Sequence, residues 1–394
     1  VVRRKDRGDT ALERRIAEEL AHLFEEFELD PNEADWSAVY EGMREGFMAG
    51  GSRIAAVLVD TMPAALADHA SIRAGFEARL RHVWGPALDR LRALIIAAQE
   101  AGTLYVEEER RARRWDVLDD ALARCHARSC MVASEVVVLL EAGFPSGAQA
   151  RWRSLHELAV TSFFLLEHGP DLAERYLLHD VVERQRSVAE HKRHATALGV
   201  APPTRAEEAQ VARDVAGLVT RFGSTFKARY GWAADTLGNP DPTFAQIEAA
   251  TKMEHLRPFV RLGSHAIHAG PTGLFDDLGA EASRGEILLA GASNTGLFQP
   301  GAGAAISILQ ATVALLNASA TAERLLMLAA LMAFTDETTD AFDRCATDTD
   351  RLVAIRWGMI RRREAFVRRR VGPVRAGVVA GRAQRARHRG RPAK

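Results

Sequence analysis

Polar and apolar positions repeat with a helical period along nearly the whole chain, and Gly and Pro cut the pattern into helix-length pieces. The stretches 11–29, 32–48, 63–81 and 86–99 are amphipathic. Pro31, Pro63 and Pro86 sit near their starts, where a missing N–H costs least. A long helical stretch, 107–142, ends at Gly143 and Pro145. Ser146 and Gln149 have capping-box spacing for the next helix, which runs to His168 before Gly169-Pro170. Further helices are predicted over 171–198, 205–230 and 244–268, the last kinked at Pro258. A long irregular segment over 270–303 precedes apolar helices at 304–334 and 351–371. No hairpin signal or sustained alternation competes, so the fold class is all-α, a multi-helix bundle. The expected organisation is an N-terminal helical region over 1–103, a central bundle over 104–371, and a disordered basic tail over 372–394.

Charge changes this picture only at the end of the chain. The formal net charge is zero, but residues 361–394 hold 13 Arg/Lys and a single acid, Glu364. The rest of the chain is therefore net acidic, and the basic charge belongs to the tail. With Arg361-Arg362-Arg363 and Arg368-Arg369-Arg370 it is a candidate contact for RNA or another acidic partner. No aromatic residues alternate with those arginines, so sequence preference would be weak. Three cysteines without a CxxC pair suit a reducing cytoplasm, and the charged stretch 1–10 carries no secretory signal. Residues 287–322 are uncharged, but Gly and Pro break the first half, and Gln310 and Asn317 interrupt the second. A buried central helix, and no membrane span, is the expectation there.

Candidate chemistry gathers in two segments. Arg151-Trp152-Arg153-Ser154-Leu155-His156-Glu157 opens a helix whose continuation, 158–166, is strongly apolar. Arg153, His156 and Glu157 share a face by spacing, whereas Arg151 lies about 140° away from His156. The second segment sets Arg257, Arg261, Ser264 and His268 on one stripe with His265 beside it. Glu135 has Met131, Val138 and Leu139 for helical neighbours and so points along an apolar face. A buried carboxylate needs a partner, and Arg153 on the following antiparallel helix is the expected one. Such a cluster is either an ion-pair network that fixes helix register or a cleft that tunes pKa values.

The motifs ArgTrpArgSerLeuHisGlu at 151–157, TyrGlyTrp at 230–232 and SerHisAlaIleHisAlaGly at 264–270 resemble an uncharacterised bacterial family, over roughly residues 105–340. That resemblance implies an all-helical fold and no known activity. A weaker resemblance is to the HEPN ribonucleases, whose hallmark is Arg, four to six residues, then His. Arg151…His156 and Arg261…His268 both fit. The resemblance implies metal-independent cleavage of RNA, commonly at a dimer interface, which would make the chain a homodimer. His156 or His268 would move the proton, and Arg151, Arg153 or Arg261 would sit on phosphate. Glu157, Ser264 and His265 complete the candidate site.

Other chemistry finds little footing. Glu190 and His194 lie on a polar helix and read as a solvated face, and no HExxH or CxxC zinc pattern occurs. P-loop and dinucleotide fingerprints are absent as well, so no metal or cofactor is expected. Two readings remain: a metal-independent RNase-like effector, and a non-catalytic helical module that binds a ligand or a protein, its polar cluster being structural.

Overall fold

The computed structural model describes residues 16–18, 20–22, 25, 44–267, 271 and 291–357. Most of the helices expected over 11–29 and 32–48 lies outside the described residues. So do His268, most of the segment 270–303 and the tail 372–394. Among the described residues there are eleven α-helices and no strand. They form an all-α, multi-helix fold.

Helix α1 runs unbroken over Arg44–Arg111, so Pro63 and Pro86 lie inside one helix rather than opening two. At Pro86 the reason is burial. Trp84, Ala87, Leu88, Leu91 and Leu94 are all in the core. Each large side chain sealed from water contributes about 1.5–3 kcal/mol, enough together to outweigh the roughly 3 kcal/mol cost of an interior proline. The chain divides into two compact units, Val1–Arg79 and Leu80–Lys394. In the first, the described helix leaves Leu58, Val59, Leu66 and Ile72 exposed. The second holds the core and the sites described below.

After α1 the chain turns and re-enters a helix, α2, at Val117–Glu141. The helix expected over 107–142 is therefore two. Asp116 caps α2 reciprocally: the Asp119 N–H donates to its carboxylate at 2.9 Å, and its own N–H donates to Asp119 at 3.0 Å. Helix α3 (Pro145–His168) begins at its proline rather than at a capping box. Gln149 does not cap it; its side-chain amide donates to the Phe259 carbonyl at 3.1 Å. The stretch 171–198 divides at His179 into α4 (Pro170–Leu178) and α5 (Asp180–Leu198).

Helix α6 (Arg205–Phe222) stops at Gly223, whose φ of +87° suits glycine, well short of the expected Tyr230. Two 3₁₀ turns, Ser224–Lys227 and Gly231–Ala233, then lead into the short α7 (Ala234–Leu237). The TyrGlyTrp motif is a packing device here. A Cβ on Gly231 would sit 2.3 Å from the Phe226 carbonyl oxygen, and Trp232 packs edge-on against Phe164 and Tyr176. Helix α8 (Phe244–Ala250) and helix α9 (Arg257–Ile267) replace the single kinked helix expected over 244–268. Pro258 falls in the first turn of α9, where no intrahelical bond is lost.

Helix α10 (Phe298–Asn317) starts inside the segment read as irregular. Its glycines are contact points, not breakers. A Cβ on Gly303 would meet the Trp152 indole at 2.7 Å, and one on Gly301 would meet the Phe342 ring at 2.2 Å. Helix α11 (Ala322–Trp357) follows a turn in which Thr321 accepts from the Arg324 N–H at 3.3 Å, so the helix expected over 304–334 is also split. Helix α3 lies at the centre of the second unit, against α2, α9 and α10. Among the described helices α10 alone is long and apolar enough to cross a membrane, and most of it is buried in this core.

Candidate functional site

The two polar segments do meet. Gly263 of α9 lies against the backbone of α3, where an added Cβ would be 2.9 Å from the Gln149 carbonyl oxygen. This close approach lets Arg153 donate to the Ser264 hydroxyl at 2.9 Å while its Nε donates to Glu157 at 3.0 Å. Ser264 returns its own proton to the Val260 carbonyl. His265 is half-buried and Arg261 exposed.

His156 behaves differently. Its side chain is 0% exposed, and Nε2 lies 2.9 Å from Oε1 of Glu248, itself sealed from water. Arg257 approaches the second Glu248 oxygen at 3.3 Å. A carboxylate only accepts, so the imidazole proton sits on Nε2. Nδ1 then has no partner among the described residues. Protonating it would create a buried donor with nothing to receive it. Burial accordingly pulls the His156 pKa down, while Glu248 works in the opposite direction. Arg153 is thus not the partner of His156. Glu248 is, and sequence reasoning passed it over: of its same-face positions only Phe244 and Ala245 are apolar, while Thr251 and Lys252 follow, so it lacks the apolar surroundings that drew attention to Glu135.

The expected Glu135–Arg153 pair is also corrected: Arg151 donates to Glu135, and a weaker contact of 3.4 Å reaches Ser154. Glu135 is half-exposed. Its apolar neighbours Met131 and Val138 are exposed too, because this face of α2 lines a groove rather than the core. Arg151 and His156 therefore serve different surroundings.

That groove, of about 1150 Å³, runs between the end of α1 and the length of α2. Gly102, Thr103 and Val106 form one wall, and Ala123, Ala127 and Met131 begin the other. The α2 wall continues to Leu139, giving a channel about 24 Å long at the helical rise. Ala123 and Ala127, four residues apart, keep the start of that wall low. His126 lies at the floor, its Nε2 3.1 Å from the Thr312 hydroxyl. The Thr312 proton is committed to the Ile308 carbonyl at 2.8 Å, so His126 donates. Burial pushes the His126 pKa down to about 4, and it pushes the neighbouring Cys130 thiol up to about 12. Both are neutral near pH 7. Glu135 and Arg151 mark one end of the groove.

Cys125, Cys130 and Cys345 are free and buried. Among the described residues no cluster of three or more His, Cys, Asp or Glu is placed to hold a metal ion.

An all-helical protein with an enclosed His–Glu pair and a separate apolar groove is the class these features define. Residues 119–286, which span α2 to α9 and include Arg151, Arg153, His156 and Glu248, match a family of unknown function (DUF5677). The groove wall on α2 falls within the same match. No curated protein and no solved structure matches the chain.

Proposed function

We propose that this protein is a non-catalytic helical module that takes a small, largely apolar ligand in the groove between α1 and α2, and that its Arg153 contacts and its His156–Glu248 pair are structural. The observation that carries this reading is the groove itself. It has the size of a small-molecule site and a largely apolar lining with a few polar groups. The enclosed imidazole supports it from the other side, since a general acid or base must reach the proton it moves.

Nile red, a neutral fluorophore that brightens in apolar surroundings, provides the test. The wild-type chain should bind it at one saturable site, and Ala127→Trp, at an exposed position on the groove wall, should abolish that binding without loss of helicity. Undiminished binding by the variant rejects the assignment.

The metal-independent ribonuclease reading retains one supporting observation, the contact between Arg153 and Ser264 that joins the two polar segments. Arg261 and His265 share that face, so total RNA incubated with chelator is the matching assay. Cleavage by the wild type that disappears in both Arg261→Ala and His265→Ala would favour this second reading.

A further inference from the structure

The charges around the groove point to one class of ligand. Three charged side chains line it: Glu107, Glu135 and Arg151. Arg151 is already engaged by Glu135. Glu107 is exposed and has no ion-pair partner among the described residues. The lining is therefore one negative charge in excess, with no uncommitted cation.

We infer that the groove binds a lipophilic cation, a molecule with an aliphatic or aromatic body and an amine or quaternary ammonium head. This rests on the groove being a ligand site at all. An anionic head would either have to take Arg151 from Glu135 at one end of the groove or lie beside the unpaired Glu107 charge at the other. A cation meets neither obstacle. The remaining lining suits it too: Met131 offers a polarisable thioether, and His126, being neutral, does not repel it.

The experiment is displacement of Nile red from the full chain at low ionic strength. The competitors are dodecyltrimethylammonium, dodecanol and dodecanoate, each below its micelle-forming concentration. The cation should displace at the lowest concentration. Glu107→Gln, which removes the unpaired charge, should weaken it by about fivefold, the scale of one partly exposed charge contact, and Glu135→Gln, at the other end and already paired with Arg151, by less. Dodecanol, carrying no charge, should respond to neither substitution.

Equal or tighter displacement by dodecanol or dodecanoate overturns the cation assignment while leaving the groove as an apolar site. Failure of Nile red to bind, or binding that Ala127→Trp and Thr103→Trp both leave unchanged, overturns the groove itself. The two failures are distinguishable because the first needs a working fluorescent site and the second denies one.

Discussion

His156 and Glu248 are 92 residues apart in the chain, yet their side chains lie 2.9 Å apart with neither reaching water. The contact ties the short helix α8 to the central helix α3. Removing one member of such a buried pair leaves the other desolvated and unmatched. Glu248→Ala should therefore lower stability by about 2–4 kcal/mol, and Glu248→Gln, which keeps an acceptor oxygen, by less. Urea unfolding monitored by circular dichroism measures both. Identical midpoints for wild type and Glu248→Ala would mean that the pair does not hold α8.

Acid should loosen the fold through its buried imidazoles. Burial lowers the folded-state pKa of His126 to about 4 and that of His156 below its usual value. The unfolded chain then takes up protons first as pH falls. Stability is complete above pH 6.5 and declines as pH drops from there toward 4. His126 alone accounts for on the order of 3 kcal/mol of that decline. Replacing it with Gln should flatten the profile in this window, whatever the variant costs at neutral pH. An equally steep profile in His126→Gln would show that another group drives the loss.

A buried cation sits where α11 meets α1. Arg324 donates to Glu109 at 2.7 Å and to Glu108 at 2.8 Å, with its guanidinium over the Tyr105 ring. Hydrogen bonds from Arg114 and Arg324 hold Glu109 down at about 2 against the effect of burial. Its contribution is present above the ordinary carboxylate pKa and is lost as pH falls toward 2. Arg324→Met should cost about 1–3 kcal/mol, because Glu109 loses one buried partner but keeps its two hydrogen bonds from Arg114, and it should shrink the acid-dependent loss below pH 4.5. Calorimetry across that range decides the matter.

Part of this organisation was legible in the residues alone. The helical period, the Gly143/Pro145 and Gly169/Pro170 breaks, and the two polar segments all survive in the structure. What could not be read was which breakers break. Pro86 and Gly303 look alike as interruptions on paper, but each is overridden by what packs around it, Trp84 and Leu88 in one case and the Trp152 indole in the other. Partner choice was equally hidden. Helical spacing puts Arg153 near His156, but the true partner arrives from α8 and no spacing rule links them. The groove was misread for a related reason. Met131 and Val138 signal an apolar face, and sequence does not say whether such a face meets the core or lines an open channel.

Two glycines of α1 should respond to alanine in opposite directions. A Cβ on Gly102 would fall 2.5 Å from the His126 ring, whereas Gly51 has nothing within 4 Å. Gly51→Ala should gain about 0.5–1 kcal/mol from reduced freedom of the unfolded chain, and Gly102→Ala should lose about 1–3 kcal/mol by displacing His126. Thermal unfolding of both variants checks the contrast. A stabilised Gly102→Ala would show that α1 does not approach α2 as closely as described.

Methyl resonances of methionine offer the sharpest view of the groove. Met131 is one of eight methionines and lies on the groove wall, and its signal can be assigned by Met131→Leu. Titration of the methyl-labelled chain with dodecyltrimethylammonium should shift the Met131 resonance saturably, in step with Nile red displacement. A Met131 signal that stays fixed while other methionines move would place the ligand elsewhere and contradict the account.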